Sequence, residues 1–204
     1  MKETKTQEGV ALKLPPGDFA AYIFDCDGTL ADTMPTHYRA WQLVLGRHAV
    51  HFPEKMFYEL GGAPAGEIVA LMNDRHGLAL PVEDTVWRKE SIYLQLSTGI
   101  APIGPVVAIA RANAGRKPMA VASGGHRNVV LNTLRVVGIV DLFDAIVTVE
   151  DYLRGKPAPD AFLEAAHRLG AAPAQCLVFE DTATGAAAAK AAGMQCVLVP
   201  PLRR

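Results

Sequence analysis

Two aspartates one residue apart are the side chains of this sequence best suited to chemistry. Asp25 and Asp27 follow the apolar residues 22–24, and the turn-forming pair Gly28 and Thr29 comes directly after them. A carboxylate can ligate a hard divalent cation, or it can attack an electrophile as a nucleophile. Alternate residues of an extended chain lie about 6–7 Å apart, so the two carboxylates can perform separate roles. The spacing predicts a nucleophile at Asp25 and a general acid/base at Asp27.

Further polar groups follow the later apolar runs: Ser123 with Gly124, then Lys156, then Glu180 with Asp181. A serine hydroxyl and a glycine amide can hold phosphoryl oxygens, because glycine lets the backbone approach closely. Carboxyl oxygens from the last pair and the first aspartate fit Mg²⁺, which prefers oxygen ligands. Mg²⁺ and a lysine would offset the repulsion between a carboxylate nucleophile and a phosphate dianion. The chemistry that this set predicts is phosphoryl transfer.

A parallel sheet would bring these groups together. Short, continuously apolar runs predict strands at 21–25, 119–123, 145–148, 176–180 and 195–199. Helical patterns lie between the last four runs, at 127–137, 159–169 and 185–192, and a glycine follows each of them. Alternating strands and helices favour a Rossmann-like, doubly wound α/β core. Because ligands bind beyond the carboxyl ends of such strands, the polar groups should meet at one edge of the sheet.

An insertion interrupts this alternation. Residues 34–117 contain no good strand pattern, but helical patterns occur at 35–47, 67–75, 83–96 and 104–114. We interpret the last of these as the return of the chain to the sheet. The prediction is a catalytic core formed by residues 18–32 and 100–204, with residues 33–99 inserted as an α-helical cap.

Bulk composition excludes several classes of protein. The chain has 204 residues, half of them hydrophobic, and a formal net charge of −1. No basic patch points to nucleic acid, and no apolar stretch reaches the ~20 residues of a membrane helix. Residues 1–9 are polar and lack the apolar core of a secretory signal, and three widely spaced cysteines do not form a disulfide framework. We expect a cytoplasmic monomer or weak dimer that acts on a small phosphorylated metabolite.

The same residues carry a resemblance. Residues 25–29 (Asp-Cys-Asp-Gly-Thr), Ser123, Lys156 followed by Pro-Ala-Pro-Asp, and residues 179–181 (Phe-Glu-Asp) occur in this order. They resemble the four motifs of the haloacid dehalogenase-like hydrolase superfamily, and the resemblance extends from residue 20 to the C-terminus. It is closest to the branch that holds β-phosphoglucomutase and small sugar-phosphate phosphatases, because residues 32–33, His37 and Trp41 resemble the entry to that branch's helical cap.

The resemblance implies a Rossmann-like core with a four-helix cap. It also implies that Asp25 is the nucleophile and Asp27 the acid/base. It implies Mg²⁺ bound by Asp25, the backbone carbonyl of Asp27, and the pair Glu180 and Asp181.

One departure from the family pattern concerns the substrate. The mutase grips a second phosphate with a cap arginine just after a helix-end glycine, whereas residues 60–67 here contain no basic residue. Hydrolysis is therefore favoured over the mutase reaction, and the chain looks most like the fructose-1-phosphate/6-phosphogluconate phosphatase type. A 2-haloacid dehalogenase needs neither Asp27 nor a metal-binding Asp181, so the sequence argues against that reaction. A non-catalytic phosphometabolite-binding protein is the alternative of another class.

The remaining candidates are substrate-binding residues. His37 lies one helical turn before Trp41 and could contact Asp27 or substrate, or could simply pack at the hinge. Lys89 aligns with a mutase residue that reaches the substrate. Arg127, with His126 before it, would face the site entrance if a helix begins at residue 125. Ser123 has the simpler alternative of a helix N-cap, and the pair at 150–151 is interpreted as surface.

Overall fold

The structure, a computed structural model, describes residues 12–201; the polar N-terminal stretch 1–9 lies outside this range. Its centre is a sheet of five parallel strands in the order β3-β2-β1-β4-β5. The strands are β1 (Ala21–Phe24), β2 (Met119–Ala122), β3 (Ala145–Val147), β4 (Cys176–Glu180) and β5 (Gln195–Leu198). Each begins at the residue predicted from its apolar run. The central β1 pairs with β2 through Phe24 and Val121 and with β4 through Phe24 and Phe179.

Helices cover both faces of this sheet. They are α5 (Gly104–Asn113), α6 (Arg127–Val136), α7 (Asp160–Arg168) and α8 (Ala183–Ala191). Alternate β-strand residues point to opposite faces. Phe24 therefore stacks on Phe179, with ring centroids 4.6 Å apart, in the cluster that includes α5 and α6. Ile23 instead packs with Phe162 of α7 and Ala188 of α8. The predicted doubly wound α/β fold is confirmed.

Four helices are inserted between β1 and α5. They are α1 (Met34–Gly46), α2 (Glu54–Glu59), α3 (Ala65–His76) and α4 (Val82–Leu96). The short α2 was not among the helical patterns found in the sequence. Trp41 and Met72 belong to a separate apolar cluster within the insertion. Tyr93 of α4 instead packs into the sheet cluster, and its hydroxyl lies 2.7 Å from Thr133 Oγ1. The insertion is the helical cap of the predicted fold, while the domain bounds 33 and 99 stay predictions.

None of the helices within residues 12–201 is long and apolar enough to cross a membrane.

Candidate active site

Polar side chains from three chain segments meet beyond the carboxyl ends of β1 and β4. Asp25 directly follows β1, and its backbone amide donates to the carbonyl of Phe179 at 2.9 Å, which extends the sheet by one bond. Lys156 Nζ lies 2.6 Å from Asp25 Oδ1 and 2.6 Å from Glu180 Oε2. All three side chains are at least nine-tenths buried. One ammonium group thus bridges two carboxylates in a site with little access to water.

A third carboxylate adds negative charge to this group. Oxygens of Asp25, Glu180 and Asp181 lie within 4.8 Å of one another. Burial and the nearby Glu180 raise the pKa of Asp25 well above its ordinary value, and they raise the pKa of Asp181 to about 7. Burial also acts against ionisation of Glu180, but the Lys156 ammonium and the Thr182 hydrogen bonds together outweigh burial, so the pKa of Glu180 is lowered. Three carboxylates around one lysine therefore favour the binding of an additional cation.

The donor chemistry of this cluster fits Mg²⁺, because all three side chains offer hard oxygen atoms. Neighbouring residues orient the carboxylates. Thr29 Oγ1 donates to Asp181 Oδ1 at 3.1 Å. Thr182 donates to Glu180 Oε1 from its amide at 2.8 Å and from its hydroxyl at 2.7 Å. The carboxylate of Asp27 is not a member of the cluster, whose described members are the other three residues.

Two glycines make room for the cluster. A Cβ atom at Gly28 would lie 2.2 Å from Asp181 Oδ2, and the φ angle of +83° is also one that glycine adopts most readily. A Cβ atom at Gly185, in the first turn of α8, would lie 2.0 Å from Glu180 Cδ. The sequence motif includes Gly28, but Gly185 was missed, because it lies within an alanine-rich run that reads only as a good helix.

Asp27 occupies a different environment, in which a hydrogen-bonded chain connects it to the cap. Its Oδ1 lies 3.2 Å from His37 Nε2, and His37 Nδ1 lies 2.9 Å from Lys89 Nζ. An ammonium group can only donate, so His37 Nδ1 accepts, and the ring proton lies on Nε2 and is donated to Asp27. Burial acts to raise the pKa of Asp27, but His37, Thr33 and Lys89 together outweigh burial and lower the pKa to about 2. The pKa values of Asp25 and Asp27 are therefore shifted in opposite directions, although only one residue separates them.

Aromatic packing holds the hydrogen-bonded side chains of His37 and Lys89 in place. The ring of His37 stacks on Tyr93 with centroids 4.0 Å apart, and Lys89 Nζ lies 5.6 Å from the ring centre of Trp41. Burial lowers the pKa of both His37 and Lys89. The structure thus brings His37 and Lys89 together with Asp27, as expected if His37 contacts this aspartate. Whether either residue also touches substrate stays a prediction.

The loop after β2 completes the surroundings of Asp27. Ser123 is 1% exposed, and its Oγ accepts a hydrogen bond from the Gly125 amide at 3.1 Å. A Cβ atom at Gly125 would lie 3.4 Å from Ser123 Oγ and 3.8 Å from Asp27 Oδ2. Helix α6 has His126 as its N-cap, so the interpretation of Ser123 as a helix cap is wrong. Gly125 therefore lies between the Ser123 hydroxyl and the carboxylate of Asp27, the acid/base candidate.

Arg127 has partners on the other side of this loop. Its guanidinium group pairs with Asp151 and donates to the Ile146 carbonyl at 3.4 Å. Asp151 also binds Arg168 at 2.8 Å, and its side chain is only 13% exposed. The interpretation of Asp151 as a surface residue is therefore wrong: it joins the start of α6 to α7. The structure does not bring Arg127 together with the Asp25 cluster, and its predicted role in substrate binding stays a prediction.

A second contact between cap and core was not anticipated from the sequence. His126 Nδ1 lies 2.6 Å from Oε1 of Glu90, the residue after Lys89 on α4. Glu90 has no sequence signal of its own, since a single acidic residue on a helix is ordinarily exposed to solvent. Its side chain is only 12% exposed.

A family model described as haloacid dehalogenase-like hydrolase matches residues 19–193, and the chain belongs to this family. It is 37% identical over 180 residues to fructose-1-phosphate phosphatase YqaB of Escherichia coli, covering 88% of this chain and 95% of that protein. It is also 31% identical over 179 residues to hexitol phosphatase A of the same organism, covering 87% of this chain and 82% of the relative. The predicted enzyme class, a phosphoric monoester hydrolase, is confirmed.

Solved structures support the same assignment. The chain superimposes on CbbY of Rhodobacter sphaeroides in complex with phosphate, with a TM-score of 0.79 and 28% identity over 90% of this chain and 87% of that one. It also resembles β-phosphoglucomutase of Clostridium difficile, with a TM-score of 0.77 and 25% identity over 87% of this chain and 83% of that one. The predicted resemblance to the branch that includes β-phosphoglucomutase is confirmed.

Proposed function

We propose that this protein hydrolyses small phosphorylated metabolites, in particular sugar monophosphates such as fructose 1-phosphate, through an aspartyl-phosphate intermediate on Asp25. The observation that carries the proposal is the contrast between two aspartates on one strand end. Asp25 lies 2.6 Å from an ammonium group within a carboxylate cluster, whereas Asp27 is held separately by His37. Similarity to the two sugar-phosphate and hexitol phosphatases supports the choice of substrate class.

Phosphate binding is assigned to three groups. Lys156 supplies positive charge, while the Ser123 hydroxyl and the Gly124 amide supply hydrogen bonds to phosphoryl oxygens. The lysine is fixed by its two carboxylate partners, so it can act without a large reorganisation. These contacts hold the phosphorus atom within reach of the Asp25 carboxylate.

The metal assignment follows from the carboxylate cluster. Asp25, Glu180 and Asp181 would hold Mg²⁺ through their side chains, with the backbone carbonyl of Asp27 as a further ligand, as the family resemblance implies. When bound, the ion would neutralise negative charge on the phosphoryl group and on the carboxylates.

Hydrolysis then proceeds in two steps. In the first, an Asp25 oxygen bonds to phosphorus, the bond from phosphorus to the sugar oxygen breaks, and Asp27 gives that oxygen a proton. In the second, Asp27 takes a proton from water, the water oxygen bonds to phosphorus, and the bond to Asp25 breaks. With a pKa of about 2, Asp27 is ionised in the free enzyme, so its first proton must arrive with the substrate or along the chain from Lys89 through His37.

A panel of phosphorylated metabolites tests the proposal. Phosphate release is measured with Mg²⁺, with Mg²⁺ plus a hexose bisphosphate, and with EDTA. We expect release from at least one sugar monophosphate without the bisphosphate, loss of release in EDTA, and recovery when Mg²⁺ is restored. A requirement for the bisphosphate would identify a mutase instead. Binding without release would identify a non-catalytic protein, and an undiminished rate in EDTA would refute the metal assignment.

A further inference from the structure

The contact between Glu90 and His126 joins the cap to the core, one residue after Lys89 and one residue after Gly125. Glu90 lies on α4, and His126 lies in the loop between β2 and α6. The Glu90 side chain is 12% exposed, whereas that of His126 is 43% exposed. Within residues 12–201, the second ring nitrogen of His126, Nε2, has no hydrogen-bond partner. The pair thus holds a buried carboxylate next to an imidazole that still offers one polar atom.

The leaving group of a substrate must lie on this side of the site. Asp27 has to reach the oxygen that leaves phosphorus, so the remainder of the substrate extends past Asp27, away from Asp25. Two structural neighbours mark that direction. Gly125 is the residue just before His126, and its added Cβ would be 3.8 Å from Asp27 Oδ2. Lys89, the residue just before Glu90, reaches Asp27 through His37.

The cations near this compartment are already paired. The Lys89 ammonium is balanced by the Asp27 carboxylate, to which His37 connects it, and the Arg127 guanidinium is bound by Asp151. Residues 60–67 of the cap supply no basic side chain. Glu90 therefore adds a negative charge in a place where a second anionic group of a substrate would meet repulsion rather than a counter-ion.

Hydroxyl groups are the substrate groups that Glu90 and His126 are best able to bind. A carboxylate accepts hydrogen bonds from hydroxyls, and an imidazole whose Nδ1 donates to Glu90 leaves Nε2 as an acceptor. Sites that bind a hydroxyl in this way discriminate strongly, because an unsuitable group leaves buried polar atoms unpaired.

We propose that Glu90 and His126 select the leaving group, binding hydroxyls of an uncharged sugar or polyol and disfavouring a leaving group that carries a second anion. This inference rests on the proposed phosphatase function and narrows its substrate class. Of the two substrates in the name of the phosphatase type that the chain resembles, fructose 1-phosphate fits the pair and 6-phosphogluconate does not.

Two substrates that differ at a single carbon test the proposal. Sorbitol 6-phosphate has a hydroxymethyl group where 6-phosphogluconate has a carboxylate. We expect the wild-type kcat/KM to favour sorbitol 6-phosphate by at least about tenfold, the scale of a partly screened repulsion between like charges. Glu90→Gln removes the charge but retains a hydrogen-bonding side chain, and it should reduce this ratio to within about threefold. Glu83→Gln, an exposed charge removal on the same helix, should leave the wild-type ratio unchanged.

The outcomes distinguish a failure of this inference from a failure of the proposed phosphatase function. If Glu90 only braces the cap against the core, Glu90→Gln lowers kcat/KM for both substrates alike, the ratio stays at its wild-type value, and the inference is wrong. A wild-type preference for 6-phosphogluconate also refutes it while leaving the phosphatase assignment intact. If the wild-type enzyme with Mg²⁺ hydrolyses no phosphorylated metabolite, the proposed function fails, and the inference fails with it.

Discussion

Replacing Gly185 with alanine should damage this protein, although the same change in a helix ordinarily stabilises one. Gly185 lies in the first turn of α8, where alanine is the better helix former by about 0.5–1 kcal/mol. The added Cβ would, however, lie 2.0 Å from Glu180 Cδ, too close for the two atoms to coexist. Glu180 is 1% exposed, so its carboxylate cannot move into solvent without disturbing its partners.

The size of the effect follows from what Glu180 would lose. Its Oε2 accepts from Lys156 Nζ at 2.6 Å, and its Oε1 accepts from the Thr182 hydroxyl at 2.7 Å. A hydrogen bond to a charged group contributes about 1.5–3 kcal/mol. Loss of both bonds, less the gain in helix propensity, should lower the free energy of unfolding by about 2–5 kcal/mol. Phosphatase activity should fall with it, because the displaced carboxylate belongs to the cluster that we propose binds Mg²⁺.

Equilibrium unfolding in urea and phosphate release with Mg²⁺ measure the two effects. Gly46→Ala is the matched control, because Gly46 is also helical and a Cβ atom there would have no neighbour within 4 Å. The control should keep or slightly raise the free energy of unfolding and retain full activity. If Gly185→Ala were as stable and as active as Gly46→Ala, the close contact with Glu180 would be refuted.

The remaining predictions concern individual charged groups. Asp27→Asn should lower kcat at least about 100-fold, the lower range for general acid–base catalysis; a wild-type rate would exclude that role. Lys156→Met leaves Asp25 and Glu180 buried without their cation, so in EDTA the free energy of unfolding should fall by about 3–5 kcal/mol in a urea titration, and an unchanged value would contradict this. Burial acts to raise the pKa of Asp151, but Arg168 and the Thr148 hydrogen bonds outweigh burial and lower the pKa to about 2. A carboxylate whose pKa is lowered by folding stabilises the fold at pH values above its unfolded pKa, near 4, and this stabilisation is lost as the pH falls toward 2. Asp151→Asn should therefore lower the free energy of unfolding by about 1–2 kcal/mol at pH 7 and by less at pH 3. Equal losses at both pH values would refute this linkage.

The strands and the residues at their ends could be predicted because each depends on local sequence. A continuously apolar run marks a strand buried on both faces, and the carboxyl-end rule then places Asp25, Lys156 and Glu180 at one edge. All five strands begin where the apolar runs predicted.

Contacts between distant segments could not be predicted in this way. Glu90 and His126 are 36 residues apart, and nothing near either residue indicates the other. Arg127 was expected at the site entrance, but a long side chain binds whichever carboxylate the tertiary packing places within reach, and here that is Asp151. Gly185 is required only because α8 packs against the end of β4, which is a property of the folded chain.

A trapped phosphoenzyme would test the central claim, that Asp25 is the nucleophile, most directly. The enzyme is mixed with Mg²⁺ and a monophosphate that it hydrolyses, quenched in acid within the first turnover, and digested for mass spectrometry. We predict that the peptide containing Asp25 gains the mass of one phosphoryl group on that residue. The gain should be absent from Asp25→Asn and present in Asp74→Asn, a change at an exposed position. Phosphorylation of another residue, or turnover by Asp25→Asn at the wild-type rate, would contradict the account.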